Sequence, residues 1–439
     1  MDKIESISRQ IAALRLTRHY GHVQAIRAGL IRVAGLNDRA SVGDRVMIAL
    51  QHGSVGGEIV GLGPRHAEVL PEGVTEGLSV GAGVELLFAP RIAPCDGWIG
   101  RIVDPFGQPL DGRPLPQGAC PRAFRAEAPP AAGRRRLGAR LPTGLAVFDT
   151  LLPLVQGQRI GLFAGSGVGK STLLSQLARG VQADVVVIAM IGERGRELRE
   201  FTERTLGPEG MARAVIVTAT SDRPPLIRRR CAWAAMAVAE HFRDQGRHVL
   251  LLADSITRFA EAHREIALAA GEPPSYRGFP PSVSNLIMGL AERAGPGPEG
   301  AGDITGIFSV LVAGSDMDEP VADILRGTLD GHVVLERTIA ERGRYPAIDV
   351  VRSVSRALPE AADGPENALI GRARGALGAY AESELMIRAG LYAPGSDPRL
   401  DEAVRLYPAL DQFVTQTSAS VSDSFVALSA ALRAPVVPR

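Results

Sequence analysis

Arg159-Ile-Gly-Leu-Phe-Ala-Gly-Ser-Gly-Val-Gly-Lys-Ser-Thr-Leu-Leu174 runs from a buried apolar strand through a glycine-rich turn into the start of a helix. That order is what a phosphate-binding loop requires, because the turn can present backbone N–H groups to an anion while the helix points its positive end at it. The amides of Gly165, Gly167, Val168 and Gly169 are placed to wrap the anion, and Lys170 to reach β- and γ-phosphates. The Ser171 hydroxyl is a ligand for Mg²⁺, and Thr172 lies near an α-phosphate. The motif opens on Ala164 where a strict pattern has glycine; the three turn glycines are intact.

A nucleotide site also needs a carboxylate for magnesium. About eighty residues on, His248-Val-Leu-Leu-Leu-Ala-Asp254 is an apolar strand ending in Asp254, and ligands collect at the C-terminal ends of parallel strands. A third apolar run, Val185–Ile191, leads into Gly192-Glu193-Arg194-Gly-Arg-Glu197. Glu193 is the candidate general base or water-orienting group and Arg194 a phosphate ligand; the alternative is that both form surface ion pairs with Arg196 and Glu197.

Around this centre, apolar strands near 159–163, 184–191, 214–217, 249–253 and 307–312 alternate with helical segments, the rhythm of a parallel sheet wrapped by helices. Upstream, over 22–88, short apolar runs at 30–33, 45–48, 57–60 and 83–86 are punctuated by glycine and predict a small β-barrel. Ile4, Ile7, Ile11 and Leu14 fall on one stripe of a short helix within 1–21, which packs on its own barrel or docks a helical partner. Residues 109–142, rich in Pro, Gly, Ala and Arg, read as an extended connection. Its Arg134-Arg135-Arg136 run is a solvated face, an ion-pair donor or an anion site. Beyond residue 359 only helical segments are expected. The organisation is thus α/β: an N-terminal β-barrel, a P-loop domain over 89–359 and a helical domain over 360–439.

The 439 residues have ample length for such a core, and 45% hydrophobic with 22% charged residues excludes wholesale disorder. A net charge of +1 leaves no global pull toward nucleic acid or anionic lipid. Residues 1–85 hold nine basic and nine acidic residues with Tyr20 their one aromatic, a poor stacking platform for RNA. Cys95, Cys120 and Cys231 are scattered, which fits a reducing cytoplasm. No apolar run reaches transmembrane length and no leader of signal-peptide type stands at 1–10, so any membrane contact is peripheral.

Further stretches follow in order along the chain: Leu250-Leu-Leu-Ala-Asp-Ser-Ile-Thr-Arg-Phe-Ala260, Arg277-Gly-Phe-Pro-Pro-Ser-Val283, Ala340-Glu-Arg-Gly-Arg-Tyr-Pro-Ala-Ile-Asp349, Ser353-Val-Ser-Arg356 and Gly395-Ser-Asp-Pro398. Together they resemble the flagellar protein-export ATPases of the rotary ATPase superfamily, over nearly the whole chain. The resemblance implies a RecA-like Mg-ATPase core binding ATP and Mg²⁺, and a homo-hexamer with sites at subunit interfaces. Arg356 is then the arginine finger given to the neighbouring subunit, Arg258 a second phosphate-side arginine and Tyr345 the aromatic that stacks on adenine. It further implies a stator-like regulatory subunit on the N-terminal helix, a coiled-coil central stalk, and an export gate with chaperone–substrate complexes at the cytoplasmic face of the inner membrane.

Gly195, where ATP synthase catalytic subunits have Thr, and the short C-terminal domain separate this chain from those subunits; Glu193 separates it from non-catalytic ring subunits. Two segments depart from the family pattern, Ser284-Asn-Leu-Ile-Met-Gly289 and Ser315 within 312–320, both expected to face the ring's central hole. An injectisome ATPase shares every motif. A nucleotide-binding subunit without turnover and an RNA translocase are the alternatives of a different class.

Overall fold

The structure, a computed structural model, describes residues 17–27, 29–312 and 317–433. The stripe Ile4, Ile7, Ile11 and Leu14 lies outside the described residues, as does Ser315; residues 20 and 21, at the end of the expected helix, already belong to a strand.

Six antiparallel strands close the N-terminal barrel in the order Tyr20–Arg27, Leu30–Ala34, Ala67–Pro71, Ser54–Leu62, Arg45–Ala49 and Gly83–Phe88. Alternation explains the closure: Ile31 and Val33, Val46 and Ile48, Ala67 and Val69, Val84 and Leu86 all point inward at two-residue spacing and are buried. The four apolar runs became strands. Tyr20–Arg27 and Ala67–Pro71 complete the barrel in addition.

The central sheet runs in the order Ile348–Ser355, Gly331–Leu335, Arg159–Ala164, Asp303–Leu311, Val249–Asp254, Val185–Ile191, Ala214–Ala219 and Arg101–Val103. All pairings along this path are parallel except that of Ile348–Ser355 with Gly331–Leu335. Its middle strands are apolar at every position because helices cover both faces: Val186, Ile188 and Met190 pack on one side, Val185, Val187, Ala189 and Ile191 on the other. The P-loop strand lies two places from the Val249–Asp254 strand, with Asp303–Leu311 between them, so the ends of these strands open onto one crevice.

The connection before the sheet is tied down by its arginines. Arg135 pairs with Asp303 at 2.6 Å, and Arg134 donates to the Glu292 carbonyl and pairs with the Glu292 carboxylate at 3.4 Å, so these two residues are ion-pair donors. Beyond residue 359 come the helices Gly364–Arg388, Pro398–Phe413 and Val421–Ala431. The first is started by a capping box in which Asp363 accepts from the Glu366 amide at 2.8 Å and Glu366 accepts from the Asp363 amide at 3.2 Å. The backbone of 144–146 binds that of 416–418, Ala146 N–H to the Gln416 carbonyl at 3.0 Å and Ser418 N–H to the Gly144 carbonyl at 3.1 Å, which sets the helical domain beside the P-loop. Among the described residues no helix is long and apolar enough to cross a membrane.

Candidate active site

The strand Arg159–Ala164 is buried from Ile160 onward and delivers the turn to the surface, where the helix Lys170–Gly180 begins. Gly167 and Gly169 sit at φ +78° and +84°, a left-handed conformation that a residue with a Cβ adopts only under strain. The Val168 side chain is buried in the core beneath the loop, so it is the backbone of that residue that faces outward. Lys170, Ser171 and Thr172 occupy the first helical turn, and Ser171 and Thr172 are exposed on a cavity of ≈ 740 Å³ that also holds Gly165, Gly167, Gly169, Glu193, Arg194 and Arg258.

Lys170 is the hub of this cavity. Its ammonium makes a close hydrogen bond to Asp254 and lies 3.7 Å from the Glu193 carboxylate. Asp254, nearly fully buried at the end of its strand, also accepts from the Ser309 hydroxyl at 2.6 Å. Glu193 therefore turns to Lys170 rather than to Arg196. Burial pushes the Glu193 carboxyl up to about 7, the Asp254 charge adds to the rise, and Lys170 opposes it. Two carboxylates facing one ammonium leave a deficit of positive charge. The exposed Ser171 hydroxyl completes a set of hard oxygen donors that fits a divalent cation such as Mg²⁺. Among the described residues no group of three His, Cys, Asp or Glu gathers to hold a metal unaided.

The arginines divide. Arg194 is largely exposed and 3.8 Å from Glu197, the surface pairing weighed for it, yet it lines the cavity. Arg258 stands on the helix Ile256–Ala269, donates to Glu261 at 2.8 Å and lines the same cavity. Arg356 is elsewhere: exposed, just beyond the edge strand Ile348–Ser355, it donates to the Arg326 carbonyl at 3.3 Å and does not line the cavity.

Tyr345 comes to the far side of the P-loop. A Cβ on Gly169 would meet its ring at 3.2 Å, so the aromatic rests against the loop itself. There a second cavity of ≈ 410 Å³ is walled by Leu145, Gly167, Leu173, Tyr345, Thr415 and Thr417. Sequence reasoning missed Thr415 and Thr417, brought from the helical domain, because no local pattern marks them. It also missed Ser309, which an apolar strand pattern conceals.

Residues 144–355 match the ATP synthase alpha/beta family, nucleotide-binding domain, and residues 363–433 match the T3SS EscN ATPase C-terminal domain. The flagellum-specific ATP synthase of Caulobacter vibrioides is 48% identical over 419 residues, covering 92% of this chain and 94% of that protein. The assembled ATPase EscN from the enteropathogenic E. coli type III secretion system has a TM-score of 0.86 and 35% identity, and covers 94% of this chain and 100% of that one. EscN in complex with its central stalk EscO has a TM-score of 0.84 at the same identity and coverage. The likeness extends over more than nine-tenths of the chain in sequence and in fold, and the chain belongs to the family of flagellum-specific ATP synthases and type 3 secretion system ATPases.

Proposed function

We propose that the chain hydrolyses ATP with Mg²⁺ in a homo-hexameric ring, and that this energises type III protein export for flagellar assembly. The observation that carries the reading is the convergence of Lys170, Glu193 and Asp254 in one crevice beside the P-loop, with Arg356 away from it on the surface. Lys170 gives its charge to the β- and γ-phosphates, alongside the amides of Gly165, Gly167, Val168 and Gly169. Thr172 lies toward the α-phosphate and Tyr345 packs on the adenine. Ser171 and, from its side of the crevice, Asp254 would hold Mg²⁺, which when bound would neutralise charge on the phosphate oxygens. Glu193, ionised, orients the attacking water and takes its proton; a carboxyl held near neutrality is basic enough for that at pH 7. Arg194 and Arg258 meet the charge that builds on the γ-phosphate, and Arg356 of one subunit completes the site of the next.

The division of labour follows 22–88 for the barrel, 89–359 for the motor and 360–439 for the helical domain, with 1–21 docking a stator-like regulatory subunit. A coiled-coil stalk enters the ring, as EscO binds EscN, and the export gate with chaperone–substrate complexes recruits the ring to the inner face of the membrane from the cytoplasm. An injectisome role is the second reading, favoured by the likeness to EscN; the higher identity to the Caulobacter protein favours the flagellar one. Flagellar rod and hook genes beside this gene, rather than needle and translocator genes, separate the two.

The test is the Mg-ATPase rate against protein concentration, with and without RNA. A rate per subunit that rises with concentration and ignores RNA supports an assembling ring. Nucleotide binding without phosphate release at any concentration contradicts turnover, and RNA-stimulated release points to a translocase.

A further inference from the structure

A second charged cavity lies at the seam between barrel and motor. It measures ≈ 360 Å³ and is walled by Arg125, Arg229, Trp233, His263, Asn285 and Arg293. Glu58 of the barrel strand Ser54–Leu62 reaches into the seam, where it takes Arg229 at 2.6 Å and Arg230 at 3.0 Å from the helix Pro225–Arg243, and Arg125 at 3.2 Å. Glu72 takes Arg230 at 2.6 Å and Arg45 at 2.9 Å, and Glu240 takes Arg293 at 2.7 Å. Five guanidinium groups therefore share three carboxylates. His263 adds no negative charge: its Nδ1 accepts from Arg229 at 3.1 Å and its Nε2 donates to Ser282 at 2.8 Å. Glu272 is held behind Ser282, which donates to it at 2.6 Å, and does not line the cavity.

Two further features make this more than an interdomain clamp. Arg229 is 4% exposed, and its Nε is buried with no hydrogen-bond partner, in a fold whose other buried guanidinium groups are mostly satisfied. Moreover Gly289, in the middle of the helix Ser282–Glu292, lines the cavity and has open space where a Cβ would stand. Glycine inside a helix is unfavourable relative to alanine, and here its effect is to leave the cavity open. This is the segment, 284–289, that departs from the family pattern.

We propose that this cavity binds a phosphoryl group, as free phosphate or on an organic phosphate, independently of the P-loop. Arg125, Arg229 and Arg293 line the cavity against the two carboxylates that take them, Glu58 and Glu240, so the lining keeps a cationic surplus for an oxyanion, and guanidinium forks present paired N–H donors to tetrahedral oxyanions. Leu286 and Leu290 give the cavity one apolar wall, against which the body of a phosphate ester fits.

The chain has two tryptophans. Trp98 is fully buried and outside the cavity, while Trp233 lies in its wall beneath Arg125 at 4.6 Å, so intrinsic fluorescence reports on the site. The full-length protein is titrated with inorganic phosphate and, separately, with ATP, at constant ionic strength set by chloride. A saturable change with phosphate, kept in Lys170→Ala and lost in both Gly289→Leu and Arg125→Gln, is the expected result. In Lys170→Ala, a response to phosphate without one to ATP assigns the inorganic anion, and a response to ATP alone assigns a nucleotide phosphate. No change with either ligand overturns the proposal, as does a change that survives Gly289→Leu or disappears in Lys170→Ala. Gly289→Ala, whose added Cβ meets open space, keeps the response and shows that loss in the leucine variant comes from filling the cavity.

Discussion

The two sides of the P-loop are built differently. On the phosphate side, Lys170, Glu193 and Asp254 come from beyond three strand ends of one sheet, and both carboxylates sit within ion-pair distance of Lys170, largely buried. On the base side, Leu145, Tyr345, Thr415 and Thr417 come from the domain entry, a turn before the edge strand and the helical domain; Tyr345 is 50% exposed. The first is rigid because strands fix its groups and charge couples them. The second is assembled where the helical domain docks beside the P-loop. On the proposed function, chemistry concentrates in the sheet, and affinity for the base is expected to depend on how the helical domain sits.

The comparison breaks most visibly at Glu193. Glu193→Gln keeps the shape of the crevice and removes the base, so kcat is expected to fall about 10²–10⁴-fold while nucleotide binding, followed with a fluorescent ATP analogue, persists. If kcat holds, the strand-end carboxylate is not the group that activates water. The next effect is that of pH. With its carboxyl raised to about 7, Glu193 is neutral below that pH and ionised above it. The ionised form is the active one, so kcat/KM of the wild type rises from pH 6 toward 8, falling about tenfold per unit on the acid limb. A profile flat across that range removes Glu193 from the role.

On the base side the expected effect is smaller and of another kind. Tyr345→Ala raises KM for ATP roughly tenfold, from the ~1–3 kcal/mol of base–aromatic stacking, and leaves kcat nearly unchanged; Tyr345→Phe restores the KM. A fall in kcat with unchanged KM would place Tyr345 with the phosphate-side groups. Smallest is the helix start that supports this wall. Asp363→Ala removes the capping box of Gly364–Arg388 and lowers stability by about 1 kcal/mol, seen in thermal unfolding, with a still slighter rise in KM.

The same contrast governs what the sequence could tell. The phosphate side is contiguous: a strand, a turn and a helix start lie in one stretch, and each partner carboxylate ends an apolar run, so local pattern suffices. Tyr345 was placed only through resemblance, and Thr415 and Thr417 carry no signal because their meeting with the loop is decided by the 144–146 and 416–418 backbone pairing. Within the fold, the long apolar strands of the central sheet are legible, whereas short or half-exposed strands are not, and the buried Gly331–Leu335 joins them because its apolar run spans only 333–335. Ile348–Ser355 exposes three of its eight residues, Arg101–Val103 has three residues, and Tyr20–Arg27 buries only Val23, so none shows the apolar run or alternation that marks a strand. The ion pairs at the barrel seam were equally invisible, since Glu58 and Arg229 stand 171 residues apart.

The central claim is that the crevice is completed by Arg356 of another subunit, and mixing two inactive variants tests it most directly. Glu193→Gln lacks the base and keeps the finger; Arg356→Ala keeps the base and lacks the finger. Combined in equal amounts at concentrations where the wild type is active, they form interfaces that join an intact Glu193 to an intact Arg356. ATPase activity should then return to roughly a quarter of the wild-type rate for random mixing in a closed ring. No recovery in the mixture, or an Arg356→Ala protein as active alone as the wild type, would contradict a site shared between subunits.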